Sequence, residues 1–462
     1  MRWPSHEVAE RAVELCRADG CVAIVTEESE ANIRWANNAL TSTGVANSQR
    51  VTVVATVNGA EATSVGVVSR RGEVDGMLAD LVAAAEHAAR AAEPAEDAQP
   101  LVSGSGVGAE EWTAPVPETS TAAFAAFAPT LGAVFAEARS RHHVLYGYAE
   151  QRVRATFLAS SGGVRLRTDH ATGAIELTGK SADGSRSAWA GVTGDLDDGA
   201  IRNLYAQIDQ RLGWAARHID LPPGRYQTLL PPVAVADLMT YAYWSASGRE
   251  AAEGQTVYSA PGDSTRVGER LTDAPLTLFS DPAQPRLECA PFVLTPASDT
   301  LVSVFDNGLP LRRTAWIDNG VLTALVQTRH SAGLTGMPLT PYIDNLVLAS
   351  ADAAGSLDDL VAELKRGLLL TTVWYIREVD LSTLLLTGLT RDGVFLVEHG
   401  EVVGAVNNFR FNESPVDLLG RVAGVGGTVP TRAREWGEAF THCAMPPLLV
   451  ADFNMSSVSR AV

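Results

Sequence analysis

The sequence predicts an α+β fold made of an N-terminal α+β domain and a β-rich C-terminal domain. In the first half, helical periodicity at both ends encloses alternating strand patterns, which is typical of helices packed on an antiparallel sheet. In the second half, turn motifs with Asn-Gly, Asp-Gly and His-Gly separate many short apolar runs. Such turns join antiparallel strands, so this half is expected to hold a large antiparallel sheet and few helices.

Residues 1–92 are predicted to form a compact N-terminal α+β unit. A helix over 4–19 begins near Pro4, which suits a first helical turn, and ends at Asp19-Gly20. Asn58-Gly59 favours a hairpin, because both turn positions need positive φ. The expected strands cover 21–27, 32–36, 51–57 and 60–69, and a second helix covers about 74–92.

Residues 93–120 are rich in Ala, Pro, Glu, Ser and Gly without a period, which indicates a linker or a crossing segment. Residues 121–224 are predicted to complete the N-terminal half with a helix and an antiparallel meander, followed by a helix at about 197–218. Leu221-Pro222-Pro223-Gly224 then interrupts the chain, and we place the main domain boundary there.

Residues 225–462 are predicted to form the C-terminal β-rich domain. It begins with a strand at 225–230 and a helix at 233–247. A second helix is expected at 358–368, where acidic residues begin the helix and Lys365-Arg366-Gly367 ends it. Four further groups predict hairpin turns: Asp306-Asn307-Gly308, Asp318-Asn319-Gly320, Asp392-Gly393 and His399-Gly400.

Composition excludes several classes of partner. The 462 residues suffice for about two to four domains, and the formal net charge is −18. This charge disfavours nucleic acid and anionic membranes, since both require clustered Lys and Arg. The four cysteines form no CxxC pair, and no apolar run reaches the length of a membrane span. The N-terminus shows no apolar signal core, so the protein is expected to be cytoplasmic.

Several segments match one known family in the family's order. They are 33–41, 254–259 with Gly268-Glu269, 306–308 with 312–314, 317–322, 359–368, 392–402 and 417–422. On these segments the chain resembles the TldD/PmbA family of modulator-of-gyrase and metallopeptidase-related proteins. The resemblance implies a heterodimeric zinc peptidase that trims unfolded or modified peptides inside a closed chamber. One subunit, TldD, carries His-Glu-x-x-x-His on the helix after the domain boundary and a further Cys ligand, whereas TldE (PmbA) lacks that motif.

The predicted helix at 233–247 carries no histidine, and none occurs between His218 and His330. Without gaps, the family motif falls near Met239-Thr240 and Trp244, which are poor zinc ligands. The sequence therefore predicts no catalytic residue and no metal or other cofactor bound by this chain. A relocated site would have to draw on distant candidates, namely Glu250, Glu253, His330, His442 and Cys443. The alternative interpretation is that these residues are a surface Glu pair, loop histidines and a buried thiol without a metal.

Three aromatic residues on the same helix, Tyr241, Tyr243 and Trp244, are candidates for a peptide cleft or a subunit interface, with the core as the alternative. We expect a non-catalytic TldE/PmbA-like subunit that pairs with a TldD-like chain, where zinc is expected, and helps to enclose the peptide cleft. The chain alone is expected to be inactive. Two alternatives stay open: a stand-alone or homodimeric peptidase with a relocated metal site, and a non-enzymatic binding or regulatory protein. A self-dimer is compatible with each.

Overall fold

The computed structural model describes residues 3–60, 62–74, 76–104, 106–194, 196–262 and 264–459. It confirms the α+β class. Within these residues no helix combines the length and the apolar character that a membrane span requires. The helices are α1 (Ser5–Leu15), α2 (Leu78–Ala91), α3 (Ala109–Thr113), α4 (Phe127–Ser140), α5 (Asp198–Trp214), α6 (Pro232–Trp244), α7 (Gly248–Ala252), α8 (Arg329–Thr335), α9 (Leu357–Glu363) and α10 (Pro415–Leu419).

The N-terminal half is built on one six-stranded antiparallel sheet, in the order β3-β2-β1-β4-β5-β6. The strands on both sides of the 93–120 segment belong to this sheet, because β1 pairs with β4 from Val22 opposite Ser160 to Trp35 opposite Gly147. The strands are β1 (Gly20–Ala36), β2 (Ala39–Asn58), β3 (Thr63–Arg71), β4 (His143–Ser160), β5 (Arg165–Ser181) and β6 (Ser187–Thr193).

The two faces of this sheet have different neighbours. Alternate residues of β1, such as Ala23 and Ile33, pack beneath α1 and α2 at one end and α4 and α5 at the other. On the opposite face, Val22 and Ile24 belong to the same apolar cluster as Phe305 of the C-terminal half. The sheet therefore separates a helical layer from the C-terminal half of the chain.

The C-terminal half contains two further sheets and a short ribbon. The second sheet has the order β13-β12-β11-β14-β23-β22, and the third has the order β16-β17-β20-β24-β8-β15-β18-β19-β7, with β21 paired to β24. The second sheet contains β11 (Leu276–Ser280), β12 (Thr314–Asp318), β13 (Val321–Leu322), β14 (Leu346–Ser350), β22 (Val429–Thr431) and β23 (Cys443–Met445). The third contains β7 (His218–Ile219), β8 (Gly224–Leu230), β15 (Arg366–Leu370), β16 (Val373–Asp380), β17 (Leu385–Thr390), β18 (Val394–Glu398), β19 (Glu401–Val406), β20 (Phe409–Glu413), β21 (Val422–Val425) and β24 (Leu448–Val458). The ribbon is β9 (Ser259–Ala260) and β10 (Ser264–Thr265).

Most strand pairs in these sheets are antiparallel, as predicted, but β8 with β15, β7 with β19 and β14 with β23 are parallel. Each parallel pair joins strands far apart in sequence, because parallel neighbours need a long crossover. Helix α6 follows β8 directly and packs against β8, β22 and β23. The largest apolar core of the molecule surrounds it.

The structure differs from the sequence prediction at a predicted helix end and at a predicted hairpin turn. Helix α9 ends at Glu363, and Lys365-Arg366-Gly367 leads into β15, where pairing with β8 and β18 replaces the predicted helix end. Asp306-Asn307-Gly308 is not a hairpin. Asp306 ends a short 3₁₀ helix and accepts hydrogen bonds from Arg329, with 2.6 Å between its Oδ1 and the guanidinium Nε. Tertiary contacts therefore override the local turn signal at both places.

Candidate functional site

Helix α6 follows the domain boundary, where the family resemblance places the metal-binding helix of TldD. It begins after Pro231, and nine of its residues are buried. A helix that is apolar around most of its circumference lies inside a protein rather than along a solvent channel. Met239 and Thr240, at the expected motif position, are fully buried. At these two positions the helix therefore leaves no open space in which a metal-bound water could sit.

Asp237 is the one charged side chain on α6, and it is completely buried. Its carboxylate accepts hydrogen bonds from three successive backbone N–H groups, those of Arg434 at 3.1 Å, Glu435 at 2.9 Å and Trp436 at 3.3 Å. Burial raises the pKa of Asp237 to about 7, although these three hydrogen bonds favour the ionised form. Both oxygens are thus committed to holding the loop between β22 and β23.

Cys443 lies at the start of β23, directly beside α6. Its Sγ atom is 3.9 Å from the Thr240 hydroxyl, and the residue is fully buried. Burial raises the pKa of the Cys443 thiol to about 12. Because the thiolate is the form that binds metals, this thiol is a poor ligand at neutral pH. The structure brings a late cysteine to the helix, but it meets a threonine there rather than a histidine.

The aromatic candidates on α6 have two different environments. Tyr243 is buried in the core, where its hydroxyl donates to the Ile343 carbonyl at 3.0 Å and accepts from the Ile343 N–H at 2.9 Å. Tyr241 and Trp244 are only partly buried and pack against Trp436, with ring centroids 5.7 and 5.4 Å apart. Only these two keep accessible surface for contact with a peptide or a partner.

The remaining metal candidates lie apart from Cys443 and α6. Glu253 is paired with Arg249 at 2.8 Å, and burial raises the pKa of Glu250. His330 lies in the first turn of α8. Across the described residues, no three His, Cys, Asp or Glu side chains lie close enough together to hold a metal ion. The residues that would have to hold zinc therefore do not fit it.

His442 and Cys443 are neighbours in sequence but point to opposite sides. His442 lines a cleft, whereas Cys443 is enclosed beside α6. This divergence is expected where the chain is extended, since successive side chains alternate between faces. The two residues therefore cannot act together on one metal ion.

The cleft beside His442 lies between the sheet face formed by β1, β4 and β5 and the segments 286–296 and 430–442. Two adjoining cavities of about 630 and 420 Å³ form it. Both cavities are lined by Arg152, His170, Thr172, Thr441 and His442. The sequence reasoning missed this cleft. A signal was present in β1 and β4, where charged residues recur at a spacing of two: Glu28 and Glu30 in β1, and Glu150, Arg152 and Arg154 in β4.

The charges along the strands of the cleft are mutually compensated. Arg152 contacts three carboxylates, Glu30 at 3.1 Å, Glu150 at 3.4 Å and Glu28 at 3.8 Å. Glu28 is also paired with Arg154 at 2.7 Å. Burial raises the pKa of Glu150. The Arg152 guanidinium opposes this increase because its positive charge favours the ionised carboxylate.

Burial shifts the pKa values of three groups in the cleft in the direction that favours their neutral forms. Burial, reinforced by nearby positive charge, lowers the pKa of His170 and of His442. Each imidazole contacts a threonine hydroxyl, Thr168 at 2.7 Å and Thr441 at 3.0 Å. The carboxyl of Asp344 is reached by solvent but enclosed by protein, and this enclosure raises its pKa. The surface is suited to hydrogen bonding with an extended polar ligand.

Comparison with known proteins relates this arrangement to one family. Residues 223–457 match the model of the PmbA/TldA metallopeptidase C-terminal domain, which is just over half of the chain. No curated protein matches the chain by sequence.

Three solved structures have the same fold over nearly the whole chain. TldE from Thermococcus kodakarensis is 16% identical, with a TM-score of 0.75 over 97% of this chain and 98% of that one. A proposed modulator of DNA gyrase from Thermotoga maritima is 17% identical, with a TM-score of 0.74 over 97% and 99%. One from Bacteroides thetaiotaomicron is 14% identical, with a TM-score of 0.76 over 98% of both chains. At these identities the likeness concerns the fold.

Proposed function

Because the chain belongs to the PmbA/TldD family of metallopeptidase-related proteins, we propose that it is a non-catalytic, TldE/PmbA-like subunit of a peptidase complex. In this proposal it pairs with a TldD-like subunit that holds the zinc, and it helps to enclose the peptide cleft. One observation carries the proposal. The helix after β8 uses its single carboxylate, Asp237, to hold backbone N–H groups, and the space around Thr240 and Cys443 is filled by protein.

The chemistry of these residues supports a metal-free role. A catalytic zinc needs about three protein ligands and one open position for water. On α6 the equivalent space is packed, and the nearby thiol stays protonated at neutral pH because burial raises the pKa of Cys443. The sheet of the N-terminal half nevertheless keeps an open, hydrogen-bonding cleft. That combination suits a subunit that contributes surface to a peptide chamber rather than the reacting metal.

Metal content and activity test the proposal directly. The purified chain, incubated with excess Zn²⁺ and dialysed, is expected to retain far less than one zinc per chain by mass spectrometry of the metal. It is expected to leave an unstructured peptide such as casein uncleaved. The same chain mixed with a TldD-like relative is expected to form a complex by size exclusion with light scattering, and the peptide is then cleaved.

Matched variants separate the proposal from a relocated metal site. His442→Ala and His330→Ala are expected to change neither the zinc content nor the activity of the isolated chain. One bound zinc per chain that is lost in either variant would overturn the proposal in favour of a stand-alone peptidase. Failure to bind any TldD-like relative, with the chain still folded, would favour a binding or regulatory protein outside such a complex.

A further inference from the structure

Two cysteines flank the turn that joins α1 to β1. Cys16 directly follows α1, and its N–H still donates to the Ala12 carbonyl at 3.2 Å. Cys21 is the second residue of β1, where its N–H donates to the Ser161 hydroxyl at 3.0 Å. Both cysteine side chains join the apolar cluster beneath α1 and α2, and the two thiols are hydrogen-bonded to each other. The fold therefore brings two sulfur atoms into contact across a short turn.

The turn between the two cysteines is held by hydrogen bonds to neighbouring elements. The N–H of Arg17 donates to the carboxylate of Glu86 on α2. The carboxylate of Asp19 accepts a hydrogen bond from the N–H of Asn58, the last residue of β2, at 2.7 Å. The two thiols are thus kept at hydrogen-bonding distance, which local adjustment of the side chains can shorten to a disulfide bond of about 2 Å.

The two thiols differ in exposure and in acidity. Cys16 is half-buried, whereas Cys21 is buried. The hydrogen bond from the Cys21 thiol lowers the pKa of Cys16, and the Ala18 N–H adds to this effect. Burial and the carboxylate of Glu86 oppose it but do not cancel it. The mutual hydrogen bond and burial raise the pKa of Cys21. Because the thiolate is the reactive form, Cys16 is the thiol that reacts first.

The other two cysteines have surroundings that suppress reaction. Cys289 and Cys443 are both buried, and burial raises the pKa of each thiol to about 12. A buried, protonated cysteine behaves as a small apolar side chain. These two thiols therefore serve as internal references for the reactivity of the pair at α1.

We propose that Cys16 and Cys21 form a reversible disulfide when the protein meets hydrogen peroxide. In the first step the Cys16 thiolate attacks one peroxide oxygen and the O–O bond breaks. The other oxygen leaves as hydroxide and takes up a proton to become water, while Cys16 becomes a sulfenic acid. The Cys21 thiol then attacks the Cys16 sulfur, the S–O bond breaks, and the hydroxyl group leaves as water with the proton of Cys21. Two electrons pass from the thiols to one peroxide molecule, which gives one disulfide and two water molecules.

This modification site lies away from the cleft. Cys21 and Ala23 point to the helical side of the sheet, whereas Ile24 and Thr26 of the same strand line the cleft on the other side. The proposal therefore goes beyond the proposed function, and its test requires neither zinc nor a partner subunit. Failure of the one is distinguishable from failure of the other.

Peptide mapping of the oxidised full-length chain tests the proposal. The folded protein is treated with hydrogen peroxide, the peroxide is removed with catalase, and the remaining thiols are alkylated after unfolding. Trypsin cleaves after Arg17, between the two cysteines, so the disulfide joins peptide 12–17 to peptide 18–34. Mass spectrometry is expected to show this joined pair in place of most of the two alkylated peptides. Reduction with dithiothreitol is expected to restore both, and Cys289 and Cys443 are expected to be alkylated throughout.

Serine variants separate the roles of the two thiols. In Cys21→Ser, Cys16 lacks a thiol to resolve its sulfenic acid, so peroxide is expected to carry it to the sulfinic acid, which dithiothreitol does not reverse. In Cys16→Ser, Cys21 is expected to stay a free thiol, because it is buried and its pKa is raised. Cys289→Ser is the matched control and is expected to form the joined peptides as the wild type does.

The wild-type result decides the proposal whether or not the variants fold. Peroxide-treated wild type without the joined peptides would overturn it. The same conclusion follows if Cys16 of the wild type is oxidised irreversibly to the extent seen in Cys21→Ser. Joined peptides that form only when the chain is oxidised in urea would also overturn it, since the reaction would then belong to the unfolded chain.

Discussion

Polar side chains differ in burial and in their hydrogen-bond partners between α6 and the cleft face of the N-terminal sheet. Beside α6 a single carboxylate, Asp237, is sealed from solvent and satisfied by three backbone N–H groups. In the cleft, Arg152 and its carboxylates stay partly accessible and satisfy one another. The first arrangement fixes a loop, whereas the second keeps polar groups next to an open space. Of these two regions, the one with solvent-accessible polar side chains is therefore the strand face and not the helix.

The largest effect is expected from removal of the sealed carboxylate. Asp237→Ala leaves the N–H groups of Arg434, Glu435 and Trp436 without an acceptor and creates a small void. We expect a loss of about 3 kcal/mol in the free energy of unfolding, measured by urea denaturation. Hydrogen exchange is expected to rise in residues 432–440. Unchanged exchange there would show that Asp237 does not hold the loop.

A pH series separates the charge of Asp237 from its hydrogen bonds. Burial raises the folded-state pKa of Asp237 to about 7, above its ordinary value of 3.8. The folded state then binds this proton more tightly, so its contribution to stability is full below about pH 4 and is lost as the pH rises towards 7. The stability of the wild type relative to Asp237→Asn is therefore expected to fall over this range and to level off above it. A difference independent of pH would contradict the raised pKa.

In the cleft, Arg152→Met removes the cation shared by Glu28, Glu30 and Glu150. Because Arg152 is 27% exposed and Glu150 is enclosed, we expect a loss of about 2 kcal/mol, less than for a fully buried pair. Arg366→Met, which breaks an exposed pair with Glu398, is the control and is expected to cost less than about 0.5 kcal/mol. Equal losses in the two variants, by thermal or urea unfolding, would remove the distinction between cleft and surface charges.

The smallest effect concerns the aromatic cluster at the end of α6. Trp244→Phe keeps the ring contact with Trp436 but removes the hydrogen bond from Nε1 to the Tyr342 hydroxyl at 3.2 Å. Since this hydrogen bond is partly buried and joins two neutral groups, we expect a loss of about 0.5–1 kcal/mol, measured by urea denaturation. Tyr241→Phe changes the same cluster without removing a described hydrogen bond and is the control. A larger loss in the control would show that packing rather than hydrogen bonding dominates the cluster.

Much of the fold follows from local patterns in the sequence. Asp318-Asn319-Gly320 and His399-Gly400 form tight turns between paired strands, with positive φ at Asn319, Gly320, His399 and Gly400, as their composition predicts. By contrast, the sequence suggested two strands at 21–27 and 32–36 where β1 is continuous. Glu28 and Glu30 continue the alternation of the strand and face the cleft, whereas Glu27 faces α1 and accepts a hydrogen bond from the Ser5 hydroxyl at 2.6 Å.

The candidate site was predictable only in part. The lack of histidine on α6 is a property of the sequence and needs no structure. The hydrogen bonds of Asp237 were not predictable from the sequence. Its partners lie about 200 positions further along the chain, and they are backbone N–H groups, which every residue except proline has. The cleft was likewise invisible, since it requires the face of one sheet to meet loops of the other half.

The sequence by itself determined the α+β class, the turns at Asp318-Asn319-Gly320 and His399-Gly400, and the absence of histidine from α6, because these depend on residue type and short-range spacing. Only the tertiary structure decided that Cys443 contacts Thr240 while His442 points into the cleft, and that β3 covers β2 only over residues 50–58. The physical reason is that burial, the pKa values that follow from it and the pairing of strand edges arise from segments distant in the chain. Local secondary-structure propensity does not determine which distant segment packs against a given surface.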